Sequence, residues 1–161
     1  MEREILFRGK RVDNGEWVEG YFVKYQPCAS EEKIIYGIVP EYASALYLNE
    51  IDPSTVGQYT GLTDKNGVAI FEGDILKRNN NSKDIVQVAF GKFPVIDTET
   101  ESEVDEVIGW YCKVIHTDAL SRIRPFCLPM PLTDYYIDRY DMEIIGNIHD
   151  NPEMLKGEPN V

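Results

Sequence analysis

The sequence predicts a mainly β chain, at most a β-rich α+β one, arranged as a small barrel or as paired sheets. Three observations carry this. Short strand-like runs are separated by tight-turn signals at Asp13-Asn14-Gly15-Glu16, Asp64-Lys65-Asn66-Gly67 and Gly73-Asp74. Little of the chain reads as helix. The 161 residues are 43% hydrophobic and 11% aromatic, with ten Tyr, so a packed core is expected rather than disorder.

Taken in order, residues 5–12 and 17–23 flank Asn14-Gly15, the strongest short hairpin signal, and form an N-terminal hairpin. Residues 27–33 make a loop, and residues 34–39 a strand that Pro40 ends for want of an N–H. Residues 41–51 fit either helix or strand. Asp52 before Pro53 caps one helical turn that leads into the central stretch, residues 58–77.

That stretch reads as two arms, residues 59–62 and 68–71, joined by Asp64-Lys65-Asn66-Gly67. Asp64 opens a type I turn by accepting backbone N–H groups, and Gly67 takes the positive φ of the following bulge. Gly73 bends the chain, and Asp74 starts a new strand. A calcium loop on Asp64, Asn66 and Glu72 is disfavoured, because Gly67 arrives two residues too early for that pattern.

Residues 78–84 read as a polar turn, 85–90 as a strand ending at Gly91, and 97–106 as an exposed, mobile acidic loop that cannot pack. Residues 107–115 form a strand carrying Trp110. Residues 121–131, broken by Pro125, Pro129 and Pro131, fit an irregular or edge segment. Residues 132–141 show no clear preference. Residues 142–148 form a strand, and Asn151-Pro152-Glu153 starts a short C-terminal helix.

Three segments, REILFRGKRVDNGEWVEGYFV, DPSTVGQYTGLTDKNGVAIFEGDILK and MEIIGNIHDNPEML, resemble the YopX family of phage and prophage proteins. The resemblance anchors both ends of the chain and is weakest between residues 79 and 139. It implies an SH3-like β-barrel over residues 58–161, preceded by a smaller β-rich region over residues 1–57. It implies an accessory protein of phage or prophage type, and brings no catalytic residues with it.

The residues themselves give little support to an enzyme. The chain has no Walker A loop, GxGxxG, GxSxG or HExxH pattern. Cys112 and His116 face one side of a strand, and Cys127 with His149 would be needed to complete a zinc set, but the three Cys lack paired ligand spacing. The plain reading is a core thiol and a surface imidazole, so neither cofactor nor metal is expected. The three Cys also fit a reducing compartment. With no apolar leader after MEREILFRGK and no long apolar run, a cytoplasmic protein without membrane segments is expected.

Net charge is −12, and residues 1–57 (6 basic against 10 acidic) and 58–161 (10 against 18) are both acidic. Arg3, Arg8, Lys10 and Arg11 are the best local basic patch, though a solvated strand end accounts for them. The leading expectation is a non-catalytic protein-interaction module with a host or phage protein as partner. Trp17 and Trp110 are its candidate anchors unless they belong to the core, and its acidity suits a basic partner surface. One alternative is a nucleic-acid-binding barrel using Lys77, Arg78, Arg122, Arg124 and Phe126, which the overall charge opposes. The other is a structural homo-oligomer joined through edge strands.

Overall fold

The computed structural model describes residues 4–28, 33–42, 47–97, 99–118 and 127–156. The chain forms two compact units, Met1–Gly61 and Leu62–Val161, so the division falls inside a strand. Among the described residues the fold is mainly β, with two antiparallel sheets and one α-helix.

The first unit contains β1 (Phe7–Lys10), β2 (Trp17–Tyr25), β3 (Ile35–Val39), β4 (Asn49–Glu50) and the start of β5 (Gly57–Thr63), ordered β4-β3-β2-β1-β5. The β1–β2 hairpin forms because Gly15 adopts φ +72° while the Asn14 side chain accepts from the Glu16 N–H, at 3.0 Å. Its register, Lys10 opposite Trp17, turns Gly9 toward Ile38 and Ile51. A Cβ at Gly9 would lie 2.6 Å from Ile51 Cδ1, so glycine is needed there for close packing. Asp52 caps the 3-10 turn Pro53–Thr55 by accepting from the Ser54 N–H, as its position before Pro53 predicts.

The second unit holds β6 (Ala69–Phe71), β7 (Asp74–Arg78), β8 (Asn81–Ile96), β9 (Glu103–His116), β10 (Met130–Pro131), α1 (Asp134–Arg139) and β11 (Glu143–Asn147). Its five-stranded sheet runs β10-β9-β8-β7-β11 and is open, with β10 and β11 at its ends; barrel closure is not seen. Pro131 has no N–H to give a further strand, which suits the two-residue edge β10. Leu76, Val86, Val88 and Cys112 on the sheet bury against Ile70, Met130, Leu132, Ile137 and Met142.

Several sequence expectations change. Residues 78–84 do not form one polar turn: Asn79 and Asn80, at φ +51° and +53°, make a two-residue hairpin turn, and β8 begins at Asn81. Both positions need positive φ, which Asn tolerates. The strand predicted to stop at Gly91 continues to Ile96. Four of the ten residues of the predicted acidic loop, 103–106, are strand, with Glu103, Asp105 and Glu106 paired with Ile96, Val95 and Pro94. In the connection that remains, the Asp97 carboxylate accepts from the Glu99 and Thr100 N–H groups. Residues 132–141 contain α1, capped by the Thr133 hydroxyl on the Tyr136 N–H. The C-terminal helix is only a 3-10 turn, Pro152–Leu155, and Asn151 gives it no side-chain cap. Its Oδ1 accepts from the Asn147 N–H instead.

The hairpin turn at Asp64 has a longer reach than its sequence shows. Oδ1 accepts from the Asn66 and Val68 N–H groups at 2.8 and 3.0 Å, and Oδ2 from the Ile144 N–H at 3.1 Å. The next residue bonds the same strand entry, with the Lys65 N–H on the Met142 carbonyl and Nζ on Asp141 and Glu143. Burial opposes ionisation of Asp64, but the backbone donors of Val68, Ile144 and Asn66 outweigh it and hold the carboxyl below its ordinary value.

Replacing Asp64 with Ala is expected to cost on the order of 2–4 kcal/mol in urea unfolding at pH 7, because three backbone donors lose a charged acceptor. Because the folded-state value is lowered, this contribution is complete above the unfolded value of about 3.9 and is lost as pH falls through the folded one. The gap between wild type and Asp64→Asn should therefore narrow below about pH 4; a constant gap would show that ionisation of Asp64 is not what stabilises the turn.

Candidate interaction surface

β8 and β9 outrun their neighbours. β7 pairs with β8 only between Asn81 and Gln87, and β10 meets β9 only at Tyr111 and Cys112. From Phe90↔Trp110 the two long strands continue to Ile96↔Glu103 as a two-stranded ribbon. Such ribbons are marginal alone and need an apolar face.

Both faces of this ribbon carry aromatic pairs. On one, Phe90 lies opposite Trp110, with ring centroids 5.0 Å apart at 65°, an edge-to-face contact. Trp110 also packs on the core, and its buried Nε1–H finds no acceptor among the described residues. One step outward, Lys92 lies opposite Ile108. Phe90 is 54% and Ile108 67% exposed, so this strand pair leaves two large apolar side chains in water. On the other face, Gly91 and Gly109 lie opposite each other, and the Phe93 and Tyr111 rings stack at 5.2 Å. A Cβ at Gly91 would touch Tyr111 and one at Gly109 would touch Phe93, so each ring covers a glycine of the pair.

A cavity of about 240 Å³ opens where the outer ribbon meets the segment before α1. Its walls include Phe93, Val95 and Val107 from the ribbon, Leu128 and Pro131, and Tyr140. Tyr136 also lines it and stacks on Tyr140 at 5.9 Å and 7°. Beyond the cavity, six carboxylates and a single cation, Lys92, lie between residues 92 and 106. Lys92 is bonded to Glu106 at 2.7 Å.

The residues singled out from sequence are scattered. Trp110 belongs to the ribbon. Trp17 is on β2 in the first unit, half-buried beneath Arg8 and Lys10, whose charges lie 4.8 and 5.4 Å from its ring centre. Arg11 is bonded to Asp13, and Arg3 lies outside the described residues. Lys77 is held by Asn80 and Glu143. Arg78 is buried at 1% exposure and bonds Asp84 through Nε at 3.1 Å and through Nη2, with Nη1 on Met130 Sδ. It belongs to the interior and offers no guanidinium to a nucleic acid. Arg122, Arg124 and Phe126 lie outside the described residues. The turn residues Asn14, Gly15, Asp64, Asn66, Gly67, Gly73 and Asp74 sit in turns; Gly67 and Gly73 have φ +79° and +85°, and Asp74 accepts from the Phe71 N–H.

Among the described residues, no three His, Cys, Asp or Glu side chains gather as a metal set. Burial pushes the Cys112 thiol up to about 12, against the pull of Arg78, so it is no nucleophile at neutral pH. His116 instead borders a shallow hollow with Lys83 and Met154. No described helix is long and apolar enough to cross a membrane.

Sequence reasoning missed the ribbon, Phe90 and Ile108 included. The available signal was the pair of glycines, each followed by alternating apolar residues on its side of the acidic run. Comparison with known proteins fits this architecture. A family described as YopX protein matches residues 6–156. Among solved structures, the crystal structure of protein EF1440 from Enterococcus faecalis aligns over 96% of this chain and 100% of its own, at 22% identity and a TM-score of 0.52. No curated protein matches.

Removing one partner of the buried pair should be severe: Arg78→Ala or Asp84→Ala is expected to cost about 3–5 kcal/mol, because a buried charge loses the opposite charge that it is bonded to. Replacing both with apolar residues, Arg78→Met with Asp84→Leu, should recover most of that loss in the same unfolding experiment. Equal damage from the double change would mean that the pair holds the chain by more than charge compensation.

Proposed function

The chain belongs to the YopX family, and from that premise we propose that it is a non-catalytic protein-interaction module, a phage or prophage accessory protein that binds a host or phage protein through the β8–β9 ribbon. The five-stranded sheet is then an opened relative of an SH3-like barrel, with the ribbon as its extended working part.

The observation that carries this reading is the exposure of Phe90 and Ile108 beside Trp110 on paired strands. Covering two large apolar side chains removes a cost that the free protein otherwise bears in water. A few such anchors commonly dominate a protein interface. They stand on strands whose register is set by ten or more paired positions, so little ordering is needed on binding. The acidic end beyond them favours a basic partner and disfavours phosphate.

The test is capture of the tagged full-length protein from host cells, with and without nuclease, beside a Phe90→Ser/Ile108→Ser variant. A specific protein that survives nuclease and falls at least about tenfold with the variant is the expected result. Partners that vanish with nuclease would transfer the function to nucleic-acid binding. Recovery of the bait alone, or capture indifferent to the ribbon change, would overturn the proposal.

A further inference from the structure

The cavity beside the ribbon narrows the kind of partner, and the argument rests on the interaction reading. Among the described residues, every one lining it is apolar or tyrosine, with no charged side chain in its walls. At about 240 Å³ it is smaller than the several hundred Å³ usual for a small-molecule or cofactor site. That space suits a single large side chain. Val95, 36% exposed, stands in its wall and marks a way in from solvent.

The strand facing its β8 wall is strongly acidic. Pro94, Val95 and Ile96 pair with Glu106, Asp105 and Glu103, and Asp97, Glu99 and Glu101 follow in the connecting turn. Lys92 compensates one of these carboxylates, Glu106. An apolar slot bordered by carboxylates selects its occupant by charge as well as by shape. A second copy of this chain would bring the same carboxylates and a net charge of −12. Nucleic acid would bring phosphates. Both are repelled over the roughly 8–10 Å that charges reach at physiological salt.

We propose that the cavity receives one apolar side chain from an extended segment of the partner protein, flanked on both sides by Lys or Arg. The apolar residue supplies residence time in the slot, and the flanking cations supply orientation and approach rate, which makes binding salt-sensitive.

The test uses the full-length protein and fluorescein-labelled nonapeptides in which a central Leu, Phe or Trp is flanked by alternating Lys and Ser, read by anisotropy. At least one peptide is expected to bind, to weaken tenfold or more when its central residue becomes Ala, and to weaken again from 50 to 200 mM salt. Glutamate in place of its lysines should abolish binding. Val95→Glu should block the slot, and Glu103→Lys/Asp105→Lys, at exposed positions, should reduce affinity and salt dependence without disturbing the core. The proposal is overturned if no peptide binds at 1 mM, if central Ala or acidic flanks make no difference, or if light scattering shows a dimer that Val95→Glu dissolves. If peptides fail while capture remains ribbon-dependent, the cavity assignment falls alone; if both fail, the interaction reading falls with it.

Discussion

The second unit depends on one carboxylate. Asp64 closes its own turn through Asn66 and Val68, and with its other oxygen takes the Ile144 N–H at the entry to β11. A buried backbone donor without an acceptor is costly, so a group that satisfies three at once constrains both segments. β11 then covers the β7 edge, with Glu143 opposite Lys77 and Ile144 opposite Leu76. Lys65, bonded to Asp141 and Glu143, ties the same junction from the solvent side. The turn thus sets where the far end of the chain docks.

The ribbon follows from what the rest of the sheet leaves uncovered. Its neighbours stop early, β7 at Asp74 after the bend at Gly73 and β10 at Pro131, while β8 and β9 go on pairing. Phe93 and Tyr111 spread over the Gly91–Gly109 pair and give the ribbon one packed face, with Phe93 only 5% exposed. The opposite face begins in the core at Trp110 and ends in water at Ile108.

What could be read in the sequence was local. Asn14-Gly15 and Asp64 to Gly67 announce their turns because the chemistry lies within four residues, and the cap at Asp52 is equally short-range. The bond from Asp64 to Ile144 spans 80 residues and leaves no periodic trace. Arg78 and Asp84 looked like parts of a solvated turn because charge in a polar stretch is usually exposed; nothing local marks them as a buried pair. Helix α1, at six residues, is too short for helical periodicity to emerge. Gly91 looks like a strand end in the sequence because a glycine that ends a strand and one that a cross-strand ring covers look alike until the partner strand is known. The candidate surface was the least legible part, since its position depends on that pairing.

The asparagine turn has a kinetic consequence. β7, β8 and β9 are successive hairpins whose partners lie close along the chain, so the loop-closure entropy needed to pair them is modest. β11 must return to β7 from more than sixty residues away, and it completes the sheet on the opposite side. During the interval before it arrives, β7 is an open strand edge carrying Ile75 and Leu76, the kind of surface on which nascent chains aggregate. In the folded chain the Asp64 carboxylate, whose other oxygen closes its own turn, is the acceptor that receives the returning strand at Ile144.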